Sequence, residues 1–416
     1  GDTVIDVDGK SYIDFLSSAS SLNLGGAHPT ISAAIKKQVE KCTQYCTCYS
    51  LNQPMVEYAE RLVSIYPGKI PSKILFTLCG SSAIDMAFNF AKAYTKRKEI
   101  ISFKNSFHGN TYASSNISDM DRGDFPVLSN VHIFNYFYED DPEAEDNNYL
   151  IEIEEAFKNG LNAKDVAAVF IEPIQGDGGL RPAKKEFIKQ LYLLCKEYGI
   201  LFISDEVQQG FFRSGFWFSI EHYNVIPDGI VMGKTLGGGL PLGAFMARSE
   251  IMESLNAELC ASTIAGYQLS CVAGAVQFDY MCTEKFRLMF DYKSKLFFSL
   301  AKKLVCKNKW NFKLKLVGLG FSYGIQVFDK DNNKDRFSAF KIAFCCYERG
   351  LLLITVGGNT LRLQPPFSIS IENLIKGFEQ LECAICDVDS GYATDEMLHF
   401  YKRRYPESKD NIGENK

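Results

Sequence analysis

Short apolar runs alternate with stretches of helical periodicity through the middle of the chain. Residues 74–78, 100–103, 166–171, 200–204 and 229–232 read as strands, and residues 82–95 and 184–198 carry the apolar spacing of amphipathic helices. Strands separated by helices predict a mainly parallel sheet sandwiched by helices, an α/β fold. Residues 243–248 add a strand beside the one that ends before Lys234, and a long helix over 269–281 leads away from it. From about Glu284 the pattern turns to helix, strands and helix, over 286–304, 317–327, 339–348, 351–356, 360–363 and 371–386, which predicts a smaller α+β domain. The Asp8-Gly9 pair between two short apolar runs predicts a hairpin within residues 1–14 that joins this smaller unit. The chain divides into an N-terminal segment of residues 1–27, a large domain of residues 28–283 and a small C-terminal α+β domain of residues 284–416, with a polar, frayed end over 406–416.

Two of the predicted strands end in groups of opposite charge. Ile200-Leu-Phe-Ile-Ser-Asp205 finishes in an acid, and Asp228-Gly-Ile-Val-Met-Gly-Lys234 finishes in an amine. Parallel strands bring both to one edge of the sheet, where open α/β folds bind small molecules. An amine beside a carboxylate is the pair that pyridoxal phosphate chemistry needs: the amine condenses with an aldehyde, and the acid keeps a pyridine nitrogen protonated. Either residue alone is more often a solvated strand end; the neighbouring motifs raise the pair above that. Gly80-Ser81-Ser82 joins a strand to a helix, so free backbone N–H groups face the same edge as an anion site. Phe107 and His108 follow another strand, and Val207 and Gln208 follow Asp205. Phe107 and Val207 are placed to cover the two faces of a flat heteroaromatic ring. His108 is expected to be a hydrogen-bonded structural residue that holds Phe107, and Gln208 to donate to a ring oxygen.

Composition narrows the partners. With 46% hydrophobic and 23% charged residues the chain can bury a large core, and its net charge of -5 gives no basic footprint for nucleic acid. No apolar run reaches the roughly 18 residues of a membrane span. The chain opens Gly1-Asp-Thr-Val with neither an initiator Met nor a signal-peptide pattern, which reads as a missing natural start. Thirteen cysteines, an odd number scattered through apolar stretches, fit a reducing, cytoplasmic setting rather than a disulfide framework. Cys42, Cys46 and Cys48, and Cys383 with Cys386, lack partners at ligand spacing, so no metal is expected.

Ordered local matches along residues 1 to about 390 carry a resemblance. They are Asp8-Gly9 with Tyr12-Ile-Asp-Phe15, Asn23-Leu-Gly-Gly-Ala-His-Pro29, Cys79-Gly-Ser81, Phe107-His-Gly109, Ile171-Glu-Pro-Ile-Gln-Gly-Asp177, Asp205-Glu-Val-Gln208 with Arg213, Gly233-Lys234 and Leu361-Arg-Leu-Gln-Pro-Pro366. The chain resembles the class III aminotransferases, pyridoxal phosphate enzymes of fold type I with a seven-stranded, mainly parallel sheet. The resemblance implies a Schiff base on Lys234, Asp205 at the pyridine nitrogen, Gly80 and Ser81 at the phosphate, and Phe107 and Val207 on the ring faces. It also implies that Thr263 reaches the phosphate of a neighbouring subunit, hence a homodimer with shared active sites. Arg362 would grip the substrate carboxylate, Glu172 would stand behind the site, and Asp177 falls where several members carry a glutamate that pairs with that arginine. The activity implied first is transfer of an amino group between an amino acid and a 2-oxo acid.

Departures from the family pattern point to a second activity. Asn110 stands where members that use 2-oxoglutarate commonly carry an arginine, so another cation, Arg181 or Arg122, would have to hold a second carboxylate. Tyr267-Gln268 replaces the Asn-Pro usual after the Thr263 motif. Gly176-Asp-Gly-Gly179, Ile354-Thr-Val-Gly-Gly-Asn-Thr-Leu-Arg362 and Gln364-Pro-Pro366 are similar to the isoleucine 2-epimerase branch, which acts on apolar α-amino acids. Transamination and racemisation or epimerisation share every residue named above, so the motifs leave both open.

Overall fold

The computed structural model describes residues 1–119, 128–143 and 145–398. Its centre is a seven-stranded sheet in the order Ser72–Thr77, Gly243–Arg248, Gly229–Met232, Leu201–Asp205, Val166–Ile171, Glu99–Phe103 and Val131–Phe134. Gly243–Arg248 runs antiparallel to both neighbours, and the other adjacent pairs are parallel. Val166–Ile171 is buried along its whole length, as expected of a strand covered on both faces. The helix Gly80–Thr95 lays Ala83, Ile84, Ala87, Phe88 and Ala91 against one face, with Phe90 packed on Phe245 at 5.7 Å between ring centres. Lys185–Tyr198 covers the other face through Phe187, Ile188 and Leu191, in a separate apolar cluster.

A four-stranded antiparallel sheet of Lys313–Leu319, Ser322–Phe328, Thr360–Leu363 and Ile354–Val356 lies toward the C-terminus, packed by Glu284–Val305 and Arg336–Glu348, with Ile371–Asp389 against those helices. Thr3–Ile5 and Ser11–Asp14 form an antiparallel hairpin, and the second strand pairs in parallel with Leu351–Leu352.

Several elements differ from the periodicity. The helix predicted over 82–95 begins at Gly80, because the Ser82 hydroxyl accepts from Cys79 N–H and caps the earlier turn. The single strand over 317–327 is two, folded back at Gly320 with φ 66°. The run 351–356 also splits, one part joining the N-terminal hairpin and the other the four-stranded sheet. The edge strand Val131–Phe134 is half-buried and short, and its pattern gave no signal. Arg122 and residues 406–416 lie outside the described residues. Among the described residues no helix is long and apolar enough to cross a membrane.

Candidate active site

Asp205 is the last residue of its strand, and Gly229–Met232 beside it leads through an extended Gly233 into Lys234. Lys234 has φ 46°, a left-handed backbone that a lysine adopts only where its surroundings impose it. Glycines let the chain close here: a Cβ on Gly233 would lie 2.9 Å from Gly80 N, and one on Gly80 2.7 Å from the Val207 side chain. Burial depresses the Lys234 ammonium below the ordinary amine range, with Arg362 adding to the effect and Asp177 and Asp205 opposing it. Lys234, Asp205, Gly80, Ser81, Phe107, His108 and Val207 line one cavity of about 380 Å³, together with Ser21, Leu78 and Leu240.

Asp205 is buried and bonded on both oxygens. Oδ1 accepts Val207 N–H at 3.0 Å, and Oδ2 lies 2.6 Å from His108 Nδ1. Burial alone would depress the imidazole, but the Asp205 carboxylate, aided by Glu172, holds His108 above its ordinary value. His108 therefore stands behind the acid and does not hold Phe107 as the sequence suggested. Phe107 is held by Glu172, whose Oε1 accepts Phe107 N–H and whose Oε2 accepts Gly176 N–H, both at 2.9 Å. Burial pushes Glu172 up to about 7, with Asp205 adding and His108 opposing. Ser81 Oγ accepts Asn110 N–H at 3.2 Å, and Asn110 itself is exposed.

A second charged pair comes from the smaller sheet. Arg362, on Thr360–Leu363, is 3% exposed, and its Nε and Nη2 have no hydrogen-bond partner although Asp177 Oδ1 lies 3.4 Å from Nη2. Burial lowers the guanidinium pKa against the pull of Asp177 and Glu172. The Asp177 loop is tied to the same sheet by Gly357 N–H, which donates to Asp177 O at 2.8 Å.

Other predicted residues stand apart from the cavity. Thr263 is exposed, and its carbonyl accepts from Gln44 at 3.1 Å. Gln208 is buried with Oε1 occupied by Gln209 Nε2, and it does not line the cavity. Arg181 is committed to Asp140 and Asp141 and stacks on the Tyr138 ring, which takes it away from any second substrate carboxylate. No local pattern marked Ser21 and Leu240 as cavity residues, because neither belongs to a periodic element that ends there.

A half-buried amine with a lowered pKa, a buried acid aligned by an imidazole, a helix start at Gly80 and an aromatic wall fit pyridoxal phosphate. On a seven-stranded fold type I sheet, they define an enzyme of the pyridoxal phosphate class. The chain belongs to the class III aminotransferases, the family whose pattern matches residues 1–385. It is 37% identical to a leucine/methionine racemase from Thermococcus litoralis, over 95% of this chain and 91% of that protein. It is 34% identical to an isoleucine 2-epimerase from Lentilactobacillus buchneri (95% and 90%), and 32% identical to an acetylornithine aminotransferase from Caldanaerobacter subterraneus (93% and 93%). An S-selective transaminase from Bacillus megaterium has a similar structure, with a TM-score of 0.84, 25% identity and coverage of 95% and 93%.

Proposed function

We propose that this enzyme inverts the configuration at Cα of α-amino acids with apolar side chains, as a racemase or epimerase. The observation that carries this reading is the charge set around Lys234. Arg362 offers unbonded N–H donors to one carboxylate, Asp177 offers a carboxyl beside it, and Arg181, a candidate for a second substrate carboxylate, is already paired. Asn110 supplies no charge in its place. An amino-group acceptor with two carboxylates is poorly served by such a site.

The cofactor would be held by Lys234 through its amine, by Gly80 and Ser81 at the phosphate, by Asp205 at the ring nitrogen, and between Phe107 and Val207. When bound, pyridoxal phosphate supplies the electron sink that makes the substrate Cα–H acidic. Arg362 binds the substrate carboxylate in a bidentate pair and so fixes which bond of Cα is presented. Lys234, whose ammonium burial holds below the ordinary amine range, takes the Cα proton once its amine is free. Inversion needs a proton returned to the opposite face. We assign this proton to Asp177, whose Oδ1 lies 3.4 Å from Nη2 of the arginine that anchors the substrate carboxylate.

Amino-group transfer is the second reading, supported by the aminotransferases among the relatives. Incubation with L-isoleucine and no oxo acid should yield D-allo-isoleucine; keto acid exchange with pyruvate or 2-oxoglutarate and no epimer would replace the first reading by the second. Asp177→Asn should slow epimer formation by about 10²-fold or more while solvent deuterium still enters Cα with retention.

The active unit is proposed to be a homodimer. Thr263 is exposed and outside its own cavity, as a residue serving a second copy must be, and Tyr49, Leu51, Leu259 and Ile264 expose apolar surface. Sedimentation at micromolar concentration should give about 94 kDa, twice 46.8 kDa; a monomer with full activity would remove Thr263 from the site.

A further inference from the structure

Four successive residues without a glycine adopt a left-handed backbone near the N-terminus: Ser17, Ser18, Ala19 and Ser20, with φ of 43°, 50°, 54° and 66°. Each is disfavoured because Cβ crowds the following carbonyl oxygen. Such a turn persists only when its surroundings over-determine it. It is closed by Ser21 N–H to Ser18 O and Leu22 N–H to Ser17 O, both at 3.1 Å. The next residue, Ser21, lines the cavity that holds Lys234 and Asp205. The Ser20 hydroxyl is buried with no partner, a further cost of this conformation.

Arg213 is the group that meets this turn from the far side. It is 0% exposed. Its Nη2 donates to Ser17 Oγ at 3.1 Å and to Asn23 Oδ1, so one guanidinium nitrogen grips the first residue of the turn and the chain beyond it. Nη1 donates to Pro365 O at 2.7 Å and Phe321 O at 3.2 Å, and the guanidinium stacks on the Phe367 ring at 4.7 Å. Ser17 Oγ passes the connection on, donating to Gln364 O at 2.7 Å. A fork of planar donors is required, since a lysine ammonium cannot reach acceptors on opposite sides at once.

We propose that Arg213 is a positioning residue that clamps the left-handed turn of residues 17–20 and so sets the cavity wall at Ser21. The kinetic consequence rests on the function proposed above; the conformational one does not. Arg213→Lys keeps the charge and loses the fork. Amide exchange over residues 17–22, read on the protein as purified, should accelerate about tenfold, and KM for an apolar amino acid should rise more than kcat falls. Ser18 is exposed, so Ser18→Gly relieves the backbone without removing a packed side chain. It should raise Tm by about 1–3 °C, less the entropy glycine adds to the unfolded chain, and restore part of the exchange protection lost in Arg213→Lys. Unchanged exchange in Arg213→Lys, a lower Tm in Ser18→Gly, or no rescue in the double variant each overturns the clamp. If Arg213→Lys does not fold, Ser17→Ala removes one acceptor and is read by the same exchange. Exchange and Tm need no turnover, so failure of the proposed activity leaves this test intact.

Discussion

Lys234 and Arg362 show how burial tunes a residue for a task. Both are cations held in low dielectric, and burial lowers the pKa of each, yet a lysine ammonium can give up its proton where a guanidinium does not. The first is thereby suited to move a proton and the second to hold a carboxylate. The unbonded Nε and Nη2 of Arg362 mean that a ligand carboxylate would satisfy donors left vacant by the protein. Arg362→Ala should therefore raise substrate KM by an amount worth about 2–5 kcal/mol, with little change in cofactor absorption. An unchanged KM for α-amino acids would remove Arg362 as the anchor. Asp205 and Lys234 were legible in the sequence because each ends an apolar run, and the rule that strand ends face one edge is local. The partner of His108 was not, since the imidazole and Asp205 are 97 residues apart and meet only across the sheet.

At the scale of elements, the strand-to-helix turn at residues 78–82 shows how tightly the site is packed by backbone. Gly80 is required by contact: its missing side chain leaves room for Val207 on the loop after Asp205. Gly109 is required twice, by φ 134° and by the Ser81 side chain 2.2 Å from where its Cβ would stand. Gly80→Ala should displace Val207 and the helix start together, weakening pyridoxal phosphate binding about tenfold or more while Tm of the cofactor-free protein changes by only a few degrees. Equal cofactor affinity in wild type and variant would mean that the turn does not contact the phosphate. Periodicity located this helix to within two residues. It failed at the hairpin around Gly320 and at residues 17–20, where a reversal or a left-handed turn leaves no apolar spacing to detect.

Across the whole molecule, two buried carboxyls make folding stability depend on pH. Burial, the largest influence on each, pushes Glu172 and Glu206 up to about 7 from an ordinary 4.5. Between those values the folded chain binds more protons than the unfolded one, so stability falls as pH rises through this window and levels off above it. Glu206→Gln cannot ionise, so the Tm advantage of wild type over this variant should shrink from about pH 4.5 to about 7, by the equivalent of roughly 1–3 kcal/mol; a gap that does not vary with pH would show that Glu206 ionises alike in both states. The sequence by itself determined the alternation of strands and helices, and with it the sheet edge that receives Asp205, Lys234 and the Gly80 turn, because side-chain period and strand direction are properties of short segments. Only the tertiary structure decided that Glu172 joins the Phe107 and Gly176 loops and that Arg213 reaches Ser17 from 196 residues away. Those pairings depend on how distant segments pack, and no local pattern of apolar and polar residues encodes a distance across a fold.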